Sequence, residues 1–191
     1  MKKKIFALAV VLICLSVLAS ATAAYFTDIA TARNVITAGG ISIEVVEQQY
    51  ADGVLQPYPA DPVPVMPAAV VSKIVSVRSL EQAAWIRAKY SVRIFGPDGE
   101  EMETDAELLN DLVMIEPDEE NWMSADGWWY YKSPVKNGET TAPLFEEVAF
   151  SGPKMDNKYQ RCTVKIEVNA QAVQQANNGA AVTEAEGWPE D

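Results

Sequence analysis

Residues 84–95 read Ala84-Trp85-Ile86-Arg87-Ala88-Lys89-Tyr90-Ser91-Val92-Arg93-Ile94-Phe95, and their alternation decides the fold class. Ala84, Ile86, Ala88, Tyr90, Val92 and Ile94 face one way; Arg87, Lys89, Ser91 and Arg93 face the other. Strand side chains alternate with period two, so this run predicts one wall of a core with a wet outer surface. Gly96-Pro97-Asp98-Gly99 closes it as a turn.

The same signal recurs on both sides. Arg161 to Val168 (RCTVKIEV) alternates cleanly and puts Cys162 on one face with Val164, Ile166 and Val168. Upstream, Ile41 to Glu47 (ISIEVVE) sets Ile41, Ile43 and Val45 against Ser42 and Glu44, and Val70 to Val77 is a further short strand. Gly127 to Lys132 (GWWYYK) reads as a short aromatic strand, and Asn137-Gly138 as a hairpin-type turn. Between Glu100 and Ile115 two readings stand: Leu108, Leu109, Leu112 and Val113 follow helical spacing, while residues 112–115 suit a strand. Asn169 to Asn178 (NAQAVQQANN) has the composition of a short helix. Short strands, frequent turns and no βαβ rhythm predict an all-β chain: an antiparallel jelly roll or β-sandwich with short helical insertions.

Pro57, Pro59, Pro62, Pro64 and Pro67 crowd one short stretch. Proline cannot donate to a ladder and favours extended polyproline II, which suits a stiff crossing loop between two strands. A ligand for a proline-reading module is the alternative.

The N-terminus carries export physics. Lys2, Lys3 and Lys4 precede an apolar run from Ile5 to Leu15, continued by Val17, Leu18 and Ala19. Ala21 and Ala23 then occupy the −3 and −1 positions of an A-x-A cleavage site, with Ala24 first in the mature chain. The run is shorter than a spanning helix prefers, and no basic stop follows it. The expected division is a signal peptide helix over 1–23, an N-terminal segment over 24–37, and the sandwich domain over 38–178 with its proline-rich loop at 57–67. An acidic tail follows at 179–191.

Removing residues 1–23 takes three lysines and no acid from a chain of 15 Lys+Arg and 27 Asp+Glu, which leaves a net charge of −15. Such a surface repels nucleic acid and anionic lipid, so no nucleic-acid partner is expected and the membrane matters only during export. Cys14 leaves with the signal, so Cys162 stands alone and no intramolecular disulfide can form.

Catalytic chemistry lacks its usual parts. The chain contains no histidine, which removes a Ser-His-Asp triad, a Cys-His pair and any His-ligated zinc. Neither nucleotide-loop pattern, G-x-x-x-x-G-K-[ST] nor G-x-G-x-x-G, is present. Asp98, Glu100, Glu101, Glu103 and Asp105 cluster after a turn, as do Glu116, Asp118, Glu119 and Glu120. Neither group has the spacing of a calcium loop, and a charge run is commonly a solvated loop. No cofactor and no metal site is expected. The aromatic group Trp128, Trp129, Tyr130 and Tyr131 is split by strand geometry into two faces, one for the core and the other for contact between subunits, with an exposed aromatic platform for glycan or protein as the alternative.

The mature start resembles a known family. Ala24-Tyr25-Phe26-Thr27-Asp28, then Thr31 and Asn34-Val35, then Ala38-Gly39-Gly40-Ile41-Ser42-Ile43-Glu44 is similar to the N-terminus of the TasA/camelysin family. Ala84-Trp85-Ile86-Arg87 resembles that family's A-[YF]-[IV]-R strand, and the blocks Gly127–Tyr131, Gly138–Thr141, Pro143–Phe145 and Ala170–Gln174 are similar to its clostridial-type members. The resemblance implies a jelly roll, a dedicated signal peptidase, and export to the cell surface or a biofilm matrix. It also implies self-association into fibres, with an accessory matrix protein as a further partner. In such fibres the mature N-terminal segment of one subunit completes the sheet of the next, which assigns Tyr25, Phe26, Ile29, Val35 and Ile36 to assembly. Pairing of this segment within its own domain is the alternative. Some camelysin-like relatives are described as metalloendopeptidases; with no histidine here, that activity is not carried over.

Overall fold

The computed structural model describes the backbone of Thr27–Thr37 and residues 40–190. The expected signal peptide, its cleavage residues Ala21, Ala23 and Ala24, and the assembly residues Tyr25 and Phe26 lie outside the described residues.

Among the described residues eleven strands and one α-helix follow in order: β1 (Thr27–Thr37), β2 (Ile43–Ala51), β3 (Val54–Pro57), β4 (Val63–Val65), β5 (Val70–Ser79), β6 (Ala84–Phe95), α1 (Ala106–Leu112), β7 (Val113–Ile115), β8 (Trp122–Ala125), β9 (Trp128–Tyr131), β10 (Phe145–Phe150) and β11 (Cys162–Gln174). They form two packed sheets, β4-β1-β11-β6-β9-β8 and β3-β2-β5-β10-β7. This is the all-β sandwich expected from the alternation. Every neighbouring pair is antiparallel except β1 and β11, which run parallel.

The core is the space between the sheets. Ile43 and Val45 of β2 and Val75 and Val77 of β5 belong to one buried cluster with Ile86, Ala88 and Ile94 of β6 and Val164, Ile166 and Val168 of β11. Cys162 joins the same cluster at 1 % exposure, on the face its alternation predicts. β6 begins and ends where the sequence places it.

Local chemistry sets the corners. Asp52-Gly53 and Asp126-Gly127 each form a two-residue turn with both residues at positive φ, joining β2 to β3 and β8 to β9. Such turns match strand twist, and Asp and Gly tolerate the left-handed conformation. Both readings of residues 100–115 are realised in sequence: Asp105 caps α1 by accepting from Leu108 N–H at 2.8 Å, and β7 starts directly after the helix. The proline-rich loop carries the chain from β3 in one sheet to β4 in the other.

Two expectations are corrected. Asn169 to Gln174 is strand, not helix, because β11 continues pairing with β6 as far as Gln174 opposite Ala84. Tertiary pairing overrides a weak helical composition. The outer face of β6 is not simply wet either: Trp85 is 3 % exposed, covered by a folded C-terminal segment.

Candidate functional site

The seam around β1 is the feature on which assembly would turn. β1 pairs with β11 over its whole length, from Thr27 opposite Cys162 to Thr37 opposite Ala172. On its other side it meets only β4, through Thr27–Val65, Asp28–Pro64 and Ile29–Val63. The expected assembly residues therefore divide: Ile29 sits opposite both Val164 and Val63, whereas Val35 and Ile36 pair only with Ala170 and Gln171 of β11. Beyond Ile29 the outer edge of β1 has no strand beside it among the described residues.

What β1 covers is an apolar strand. The residues of β11 alternate buried and half-buried from Cys162 to Asn169, and Ala170 to Val173 are all buried. Without β1, β11 would present an edge row of backbone donors and acceptors, a template for another chain. Parallel pairs need a connection that leaves the sheet, and here the partners lie near opposite ends of the sequence, so chain continuity does not force β1 to pair with its own β11. From Thr37 the chain passes to Ile43 of the other sheet through residues 38–42. In that link Gly40 has φ +71, with open space around it.

The five-stranded sheet carries a buried ion pair. Lys73 Nζ stands 3.3 Å from Glu47 Oε1, with side-chain exposures of 0 % and 4 %. Both strands point these residues between the sheets. The Tyr58 ring closes over the lysine, its centroid 3.7 Å from Nζ, while Tyr58 N–H donates to the Glu47 carbonyl at 3.0 Å. Burial, reinforced by the charge of Glu47, pushes the Tyr58 phenol far up.

The aromatic strand offers no open platform. Trp128 and Tyr130 are 4 % and 8 % exposed and pack with Trp85, Val173, Val182 and Ala185. Trp129 and Tyr131 are half-buried against the main core instead. The cover over the first pair is the acidic tail, which folds back across the six-stranded sheet. Arg87 is clasped between its rings, with the guanidinium carbon 4.3 Å from the centroid of Trp128 and 4.7 Å from that of Trp188. It donates to Gln171 Oε1 at 2.9 and 2.6 Å, to Tyr130 OH at 3.1 Å and to the Pro189 carbonyl at 3.4 Å. Trp85 Nε1 donates to the Asn178 carbonyl, and the Asn178 side chain bonds both N–H and carbonyl of Glu186. The exposed aromatic face at Trp128, Trp129, Tyr130 and Tyr131 is thus corrected. Gly187-Trp188-Pro189, an aromatic within an otherwise small and acidic tail, was the signal that could have indicated the fold-back.

The acidic runs are occupied locally. Asp98 accepts from Glu100 N–H and Asp105 caps α1. Asp118 accepts from Glu120 N–H at 2.9 Å and from Asn121 Nδ2 at 2.7 Å, and the Asn121 side chain is the main cause that holds its carboxyl below the usual range. Among the described residues no three His, Cys, Asp or Glu side chains gather as a metal cluster.

Comparison with protein-family models, with curated proteins and with solved structures found no match.

Proposed function

We propose that this chain is a secreted structural protein of the cell surface or extracellular matrix, which self-associates by exchanging its N-terminal strand between copies. The observation that carries this reading is the β1 seam: a long parallel ladder on β11, only three residues of β4 outside it, and a glycine-containing link behind it. A strand held in this way is exchangeable for the same strand of another copy, because backbone hydrogen bonds supply the affinity and the slot is identical in each. Exchange that does not close on itself yields a filament. The leader over 1–23, the resemblance to the TasA/camelysin family and the net charge of −15 support export and the extracellular setting. The absence of histidine supports an assembly role rather than catalysis.

Electron microscopy of the chain beginning at Ala24, at rising concentration, tests the reading. Filaments with a regular repeat, lost when 24–37 is deleted from a still-folded domain, are the expected result. Filaments that persist after the deletion would refute strand exchange.

A second reading has its own observation. β1 lies in the sheet of its own domain, which is what a monomeric extracellular binding module requires. Uniform single particles at every concentration would favour it.

A further inference from the structure

The C-terminal tail is closed on itself by its own hydrogen bonds. The Asn178 side chain donates to the Glu186 carbonyl at 3.0 Å and accepts from the Glu186 N–H at 2.8 Å, which joins the two ends of a loop. Inside it, Ala180 N–H donates to Glu184 Oε2 at 3.1 Å beside a 3-10 turn over Val182–Glu184. The loop reaches the sheet through Trp85, whose Nε1 donates to the Asn178 carbonyl, and through Arg87, which donates to the Pro189 carbonyl. Val182 and Ala185 lie in a buried cluster with Trp85, Trp128, Tyr130 and Val173 that is separate from the main core. A unit with its own cluster can open without unfolding the sandwich.

A short reversal leads into this unit. β11 ends at Gln174, and Asn178 N–H then donates back to the Gln175 carbonyl at 3.2 Å, with Asn177 in the left-handed region at φ +58. The fold-back onto the chain's own sheet therefore depends on one turn. Straightened, the same residues would carry the closed tail away from that sheet.

We propose that residues 175–177 are a hinge about which the tail passes to the sheet of a second copy and receives that copy's tail in return. The occupant is set by what the slot already holds. Trp85, Arg87, Trp128 and Tyr130 fit this segment, and every copy of the chain presents the same one. Charge agrees with the fit: residues 175–191 carry Glu184, Glu186, Glu190 and Asp191 with no cation, while Arg87 and Lys89 each stand 4.3 Å from the Trp128 ring centroid in the slot. Reciprocal exchange of an identical element keeps the tail's contacts and relieves the left-handed turn. The chain's own tail competes at an effective concentration in the millimolar range, so exchange grows with crowding. It does not rest on β1 exchange, because the slot is built on β6 and β9.

Asn177→Pro tests the hinge, because proline cannot take φ +58. The chain beginning at Ala24 is incubated at rising concentration as parent, as Asn177→Pro and as Asn177→Pro/Trp188→Ala. Sedimentation and native mass spectrometry then size each sample, and circular dichroism checks the fold. The expected result is a dimer enriched about tenfold over the parent in Asn177→Pro and lost in the double variant. A folded Asn177→Pro chain no more dimeric than the parent, or dimers that persist in the double variant, would overturn the proposal. Should the proline variant fail to fold, a mixture of Trp188→Ala and Arg87→Ala chains takes its place. Each such pair holds one intact tail and one intact slot, so mixed dimers should exceed the share given by random pairing. A share no greater than random would overturn the proposal equally. Filaments built by β1 exchange do not require Trp188, so filaments without tail-dependent dimers would refute this inference and leave that reading standing.

Discussion

Lys73 and Glu47 face each other across adjacent strands inside the sandwich, 3.3 Å apart and almost wholly removed from water. Neighbouring carbons cannot hydrate either charge, so each depends on its polar surroundings. Attraction in such a site roughly offsets the desolvation of both groups, but removal of one takes this counter-charge from the other. The single variants Lys73→Met and Glu47→Leu should each lose about 3–5 kcal/mol, and the double variant should recover most of that loss. Urea unfolding measures all four proteins. Additive losses in the double variant would show that the two residues act separately.

The Cys162 thiol packs among core residues, with its sulfur 3.5 Å from Met102 Sδ and 3.7 Å from the Lys158 carbonyl. Burial is the first cause that pushes the thiol up, so little thiolate forms near neutral pH. A thiol reagent should label denatured protein within minutes and native protein at least a hundredfold more slowly, a ratio of about 10² set by opening of the core. Rapid native labelling would place β11 in the wrong register.

Acid should weaken the fold through Asp118 and Glu167. Hydrogen bonds from Asn121 hold the first carboxyl down, and the Lys165 ammonium, with Arg93 behind it, holds the second. A carboxyl with a lowered folded pKa contributes stability above its unfolded value, and that contribution is lost as pH falls through the folded value. Stability should therefore decline as pH drops below the ordinary carboxyl range near 4, and Asp118→Asn should flatten part of the decline. Both side chains are solvent-accessible, so the effect is small and salt-dependent for Glu167. Urea midpoints at a series of acid pH values supply the measurement.

How much of this was legible follows from what sequence periodicity records. β6 could be read from end to end because its inner residues pack one way over its full length. β11 was readable only to Val168, since from Ala170 to Val173 both faces are buried and alternation vanishes. The Lys73–Glu47 pair was not legible because alternation puts each charge on an inward face but carries no register, and only the pairing of β2 with β5 brings the two together. The β2–β3 hairpin carried a plain Asp-Gly turn signal that the crowd of prolines after it obscured. The fold-back of the tail was not legible because its contacts are nonlocal: composition alone marks Gly179 to Asp191 as small and acidic, while Val182, Ala185 and Trp188 pack on an aromatic surface.

That fold-back gives the sharpest local test. Trp188 meets Tyr130 edge-on, with ring centroids 5.7 Å apart at 85°, and its ring centroid lies 4.7 Å from the Arg87 guanidinium carbon. Its indole N–H donates to the Ala185 carbonyl at 2.9 Å, so the ring also fixes the turn that presents it. Trp188→Ala removes the ring contact, the cation–π contact and the turn bond together, and should cost about 2 kcal/mol for a half-buried aromatic. Trp188→Phe keeps the stacking and should recover about half of that. Because Trp85 and Trp128 lie beneath the tail, their fluorescence should become quenchable by acrylamide in the alanine variant and stay protected in the phenylalanine one. Equal quenching and equal stability in parent and alanine variant would mean that the tail does not hold the aromatic surface closed.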